Sequence, residues 1–276
     1  MLFSTPMKLR VLTALGLAAL LSSCASNKPS ANSEKVCRDK FASAKSQFER
    51  ERDADAQEKL KDLTISCYGY DFQEEAQYML ATSYFRTEQW PEAETEYRLL
   101  REQFERSRHA EEALYKIARC GIEQTGTWDR DPSSILDAQH KITEYLTDFP
   151  EGKWSAEMRK QYTELDSRLA NHDFQTARLY LRLGEPLSAT IYFNKLLKEH
   201  PGWDKNDEAR IQLALAYAKI DQFDQARATL TLLHSAEDST HLQPKIKSAE
   251  KDIASLEKAF QKRRAREAEG YKTGFF

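Results

Sequence analysis

Six histidines, four cysteines and a dense set of carboxylates are the residues that could do chemistry in this chain. A zinc hydrolase needs ligands on one helical face, as in His-Glu-x-x-His, and a phosphate-binding enzyme needs a glycine-rich loop. Neither spacing occurs among His109, His140, His172, His200, His234 and His241 or around the glycines. Cys24, Cys37, Cys67 and Cys120 include no Cys-x-x-Cys, so no dithiol redox centre is expected. His140 and Glu144 share a helical face, but one such pair is an edge contact rather than a metal site. His172-Asp173 falls in the middle of a long helical stretch, where a polar pair is expected to face solvent. The acids are spread as solvated helix faces and form no acid/base dyad. The chain is therefore expected to have no catalytic residues, no metal and no cofactor, and its function must lie in its surfaces.

The cysteines carry the remaining chemistry. Lys8 and Arg10 form a positive region ahead of the apolar run Val11–Leu21. That run is too short to cross a hydrocarbon layer about 30 Å thick. It closes on Leu21-Ser22-Ser23-Cys24, which resembles the bacterial lipobox and would make Cys24 the lipidated first residue after removal of residues 1–23. An ordinary cleaved signal peptide with an incidental cysteine is the other reading. Attachment by several acyl chains holds a protein stably on a membrane. By resemblance to lipoproteins of Gram-negative bacteria, Ala25 rather than Asp after the cysteine points to the outer membrane, with the chain on its periplasmic face. Residues 24–34 then form a short polar tether. Losing Lys8 and Arg10 moves the formal charge from −3 to −5. A mildly acidic chain has no general attraction for nucleic acid or anionic lipid.

The elements that position these residues are helices. Charged residues make up 31% of the chain and hydrophobic ones 40%, with only 9 Gly and 8 Pro, which suits amphipathic helices and leaves few turn signals for strands. Two helices are predicted between Lys35 and Ser66, split near Glu51 to Ala54, in a degenerate pair lacking small residues for close approach. Cys37 opens the first and Cys67 closes the second, so an antiparallel hairpin makes them neighbours. In an exported protein a disulfide there is allowed and would contribute about 3 kcal/mol; two separate buried thiols are the alternative. Lone Cys120 reads as a small core residue.

Asp71 to Phe104 carries Leu80, Ala81 and Tyr84, then Ala93, Tyr97 and Leu100 behind Trp90-Pro91. This is the small-and-bulky phase of the tetratricopeptide repeat, in which Ala admits the neighbouring helix. Ala177, Tyr180, Ala189, Phe193 and Pro201 repeat it, and Ala214, Tyr217, Ala226 and Leu230 repeat it again. The predicted fold is an all-α, tetratricopeptide-like superhelix of about five helix pairs. It has a long central helix over Trp154–Leu183, whose inner face is Trp154, Met158, Tyr162, Leu165 and Leu169, and a C-terminal capping helix from about Pro244 to Ala268. Asp131-Pro132 is a helix-start signal; Phe149-Pro150 and Gly184 are stops. Stacked helix pairs offer an extended concave surface. Tyr78, Tyr84, Arg86 and Trp90 are the candidates for a peptide-binding groove, with Tyr84 also part of the core pattern. The loop Gln124–Arg130 stretches one repeat, making Trp128, Asp129, Arg130 and Asp131 candidates for a partner contact. The run KRRAR near the C-terminus reads first as a solvated face and second as a partner patch.

The DRDP turn, the phrase SRLANHDFQTARLYLRLGEPLSA and the helix ending in KEHP resemble the BamD (ComL) family of outer-membrane lipoproteins, clearly from about Glu74 to Asp204. The resemblance implies a part in the complex that assembles β-barrel proteins into bacterial outer membranes. It implies N-terminal repeats (35–106) that receive unfolded outer-membrane proteins, C-terminal repeats (107–240) that hold a BamA-like barrel-inserting subunit, and a cap and tail (241–276). Other lipoproteins of the complex are implied as further partners. The rival reading is a periplasmic repeat adaptor for cell-wall or division enzymes.

Overall fold

The computed structural model describes residues 31–126, 132–234 and 242–272. The signal segment with Cys24, the loop residues Trp128, Asp129, Arg130 and Asp131, His241 and the terminal Phe275-Phe276 lie outside the described residues. The fold is all-α. Eleven helices are described: α1 (Ala31–Glu49), α2 (Asp53–Ser66), α3 (Gln73–Arg86), α4 (Trp90–Gln103), α5 (Ala110–Glu123), α6 (Ser133–Asp148), α7 (Ser155–Arg182), α8 (Pro186–Glu199), α9 (Asn206–Lys219), α10 (Phe223–His234) and α11 (Gln243–Lys272).

Two compact units divide the chain, Met1–Glu88 and Gln89–Phe276. In the first, α2 packs on α1 and on α3. In the second, each of α4 to α9 packs on the next helix in the chain, and α11 packs on both α9 and α10. Because α4 packs on α5, residues 89–106 belong to the second unit, and the pair expected over Asp71–Phe104 has its two helices in different units.

The repeat positions form the core. Ala81, Ala93, Tyr97, Leu100, Ala177, Ala189, Phe193, Ala214 and Ala226 are fully buried, and Leu80 nearly so. A methyl at these positions lets the neighbouring helix approach until aromatic and leucine side chains interdigitate. Helix ends follow local chemistry. The α6 ladder stops at Asp148 before Phe149-Pro150, and Pro186 opens α8, where its missing N–H costs nothing. Gly184 turns left-handed (φ 79°), and the next N–H, from Glu185, reaches back to the Tyr180 carbonyl at 2.9 Å. The same six-residue closure ends α1 and α9, through Arg52 to Gln47 and Gln222 to Tyr217, each 3.0 Å. There the left-handed residue is Glu51 or Asp221, at φ 56° and 62°.

Three expectations are corrected. The first helix pair is not short of small residues: Ala44 of α1 and Ala56 of α2 are fully buried. Tyr162 is exposed rather than part of the inner face of α7. Asp173 does not face solvent but is 5% exposed. Lys195 of α8 neutralises it at 2.9 Å, so burial does not leave an isolated charge.

Candidate functional site

Cys37 and Cys67 are joined, with Cα atoms 5.7 Å apart. α1 opens and α2 closes at this end of the hairpin. Around it, Phe72 stacks on Phe41 at 4.8 Å and on Tyr70 at 5.5 Å. Arg38 donates to Glu34 and to Asp71, holding the loop after Cys67 against α1, and these partners raise its pKa. At the opposite end, the Arg86 guanidinium lies 4.2 Å from the Phe48 ring centroid, donates to the Phe48 carbonyl and sits 3.6 Å from Asp53.

Of the groove candidates in this unit, Tyr84 is 6% exposed and belongs to the core, so it lines no surface. An aromatic at the repeat's bulky position is used up by packing. Tyr78 is half-buried on α3, and Arg86 is exposed while tied to Phe48 and Asp53. Trp90 is half-buried at the first position of α4, in the second unit.

The second unit carries a polar seam inside its helix stack. Tyr145, fully buried on α6, donates to Glu111 of α5 at 2.9 Å and accepts from the Trp154 N–H at 3.0 Å. Glu111 also accepts from the Lys153 N–H, which fixes the entry into α7. Gly152 makes this possible: a Cβ there would meet Glu111 Oε1, the Tyr145 hydroxyl and Phe149 Cβ at 2.5–2.8 Å. Tyr115 stacks on Trp154 at 4.5 Å and shares Glu157 with Arg119. Burial, ahead of the neighbouring carboxylates, raises the pKa of both Tyr115 and Tyr145.

Lys141 of α6, buried, bridges Glu94 of α4 at 2.7 Å and Asp137 at 2.6 Å. Burial opposes its charge, but the two carboxylates outweigh it and raise the pKa. Cys120 lies fully buried nearby, and burial pushes its thiol up to about 12, so it stays protonated and inert.

The expected partner loop is anchored at its root. Arg168 of α7 donates to the Thr125 hydroxyl at 2.9 Å and to the Gly126 carbonyl. Sequence reasoning missed Arg168; its place in the SRLANHDF phrase was the only signal. It also missed an exposed apolar ridge where α7 turns into α8. Leu183, Leu187 and Ile191 are 60–64% exposed, with Leu179 beside them. Tyr180 and Tyr192 stack at 5.1 Å close by in the chain.

Among the described residues one cluster has the donor types of a cation site. Asp173, Glu199 and His200 place ligand atoms within 4.8 Å of one another. The Lys195 ammonium is already there, 2.9 Å from Asp173 and 3.7 Å from Glu199, while His200 Nδ1 is paired with Asp166 at 2.8 Å. These groups tie α7 to α8. A cleft of about 340 Å³ lies between α10 and α11, where Arg227 donates to Glu257 and Asp224. The KRRAR residues near the end of α11 are all exposed. No described helix is long and apolar enough to cross a membrane.

Helix pairs with alanine at the crossing points and a long central helix define an all-α protein of the tetratricopeptide-like class. The family model described as outer membrane lipoprotein, YfiO, matches residues 34–232. The chain belongs to this family. It is 26% identical over 107 residues to the outer membrane protein assembly factor BamD of Neisseria gonorrhoeae, covering 39% of this chain and 40% of that one. Against the protein of the same name from Caulobacter vibrioides it is 25% identical over 118 residues, covering 43% and 39%. The matches thus span about two fifths of those relatives. A thermophilic tetratricopeptide protein of Thermus thermophilus superposes with a TM-score of 0.33 at 17% identity, covering 77% of this chain and 98% of that one, too loosely to bear on the fold.

Proposed function

We propose that this chain is a non-enzymatic, lipid-anchored component of the machinery that assembles β-barrel proteins into the outer membrane. The observation that carries the reading is the family match over residues 34–232, joined to relatives that bear the name of assembly factors. Cys24 is the lipid attachment site and holds the chain on the periplasmic face. The second unit holds a barrel-inserting subunit. Its exposed Leu183–Ile191 ridge and the loop rooted by Arg168 are the surfaces suited to a protein partner, because solvent-facing leucines at a rigid helix turn gain most from being covered. Tyr78 and Arg86, on α3 of the first unit, receive extended segments of unfolded barrel proteins. Further lipoproteins of the complex dock elsewhere on the same array.

A pull-down of the tagged full-length protein from detergent-solubilised envelope tests this, with partners identified by mass spectrometry. The reading expects a large barrel protein with periplasmic domains, recovered near one-to-one. Recovery of cell-wall or division enzymes alone would replace it with the adaptor reading.

A further inference from the structure

Solvent-facing apolar residues of the first unit collect at one end. Val36, Ile65 and Tyr68 are 49%, 78% and 72% exposed. Val36 precedes Cys37 and Tyr68 comes directly after Cys67, so the disulfide draws the two positions together, and Ile65 lies in the last turn of α2. Lys40 of α1 reaches Asp62 at 2.8 Å and Ser66 at 3.3 Å, which closes the two helices against each other at that same end. The Arg38 bond to Asp71 keeps the loop bearing Tyr68 in place. The disulfide and these bonds hold the patch at one end of the pair.

This is also the end nearest the anchor. Seven residues, 24–30 with Cys24 the first, lead from the anchor to the start of α1. Seven residues reach at most about 25 Å when fully extended. α1 itself is about 28 Å long, more than that reach, so the Cys37 end and not the Glu49 end lies next to the anchor. We propose that the disulfide-closed end of the first unit rests on the lipid surface, with Val36, Ile65 and Tyr68 in the interfacial layer. The inference depends on the reading of Cys24 as lipidated and goes beyond it, by assigning the surface that faces the bilayer. Tyrosine suits this place because its ring is apolar and its hydroxyl stays hydrated. Arg38 and Lys40 are already paired with Glu34, Asp71 and Asp62, so the contact is apolar and insensitive to salt.

The test uses the full-length lipidated protein in vesicles of phosphatidylethanolamine and phosphatidylglycerol, with a photoreactive phenylalanine analogue at position 65, 68 or 49. All three positions are exposed, and circular dichroism verifies the fold of each variant. Lipid adducts from 65 and 68 should exceed those from 49 severalfold, equally at low and high salt. Suppose the N-terminal lipid is present by mass and the protein floats with the vesicles, yet adducts at 65 and 68 do not exceed those at 49 or join two copies of the chain. The membrane-facing assignment is then overturned while the anchor stands. An N-terminus without lipid, with no flotation, removes the anchor reading and this contact together.

Discussion

The α1–α2 hairpin and the α4–α7 stack bury similar amphipathic helices by different means. The hairpin is closed by a covalent bond at one end and by Arg86 lying on Phe48 at the other, with its long polar contacts near the surface. The stack has no described disulfide and instead threads polar side chains through its interior: Tyr145 to Glu111, Lys141 to Glu94, Tyr115 to Trp154. In the hairpin a crosslink stabilises the fold by lowering the entropy of the unfolded state. Helices covered on both sides can hold buried hydrogen bonds, which penalise any other register because each broken one leaves an unsatisfied group.

The largest expected effect falls on the stack. Tyr145→Ala removes a fully buried ring and both of its hydrogen bonds, and should destabilise the second unit by about 4 kcal/mol in denaturant unfolding. Tyr145→Phe, which keeps the ring, should lose well under half of that. Next comes the staple. Reducing the disulfide, or Cys67→Ser, should lower the stability of the first unit by about 3 kcal/mol, and a midpoint unchanged by reductant would show that packing alone holds the hairpin. Gly152→Ala should cost about 2 kcal/mol, since Phe149 Cβ cannot move away as easily as the Glu111 and Tyr145 side-chain ends. The smallest effect is at the turn end of the hairpin, where α1 runs into α2. Arg86→Ala should change stability by under about 1 kcal/mol. If the same variant weakens binding of an unfolded barrel segment, measured by fluorescence anisotropy, Arg86 serves the ligand more than the fold.

What could be read in the sequence was whatever is local or periodic. Pro150, Gly184 and Pro186 set helix ends through backbone constraints that act within a few residues, and the structure places the ends there. The alanines at 81, 93, 177, 189, 214 and 226 mark close helix crossings because a repeat copies its own spacing, and all six are fully buried. What could not be read pairs distant residues. Lys141 finds Glu94 across 47 positions, and Arg168 finds Thr125 across 43. Asp173 was misplaced for the same reason: its burial depends on Lys195, one helix further on. Tyr84 shows that an aromatic on a repeat helix can satisfy a core pattern or a groove pattern, and only packing decides between them. Ala44 and Ala56 escaped notice because nothing in the flanking sequence repeats their phase.

The central claim is a part in outer-membrane barrel assembly, and the most direct measurement is depletion of this chain with quantitative proteomics of the outer membrane. Folded barrel proteins should fall together while other outer-membrane lipoproteins hold their levels. Unchanged barrel levels, with loss confined to cell-wall enzymes, would contradict the claim.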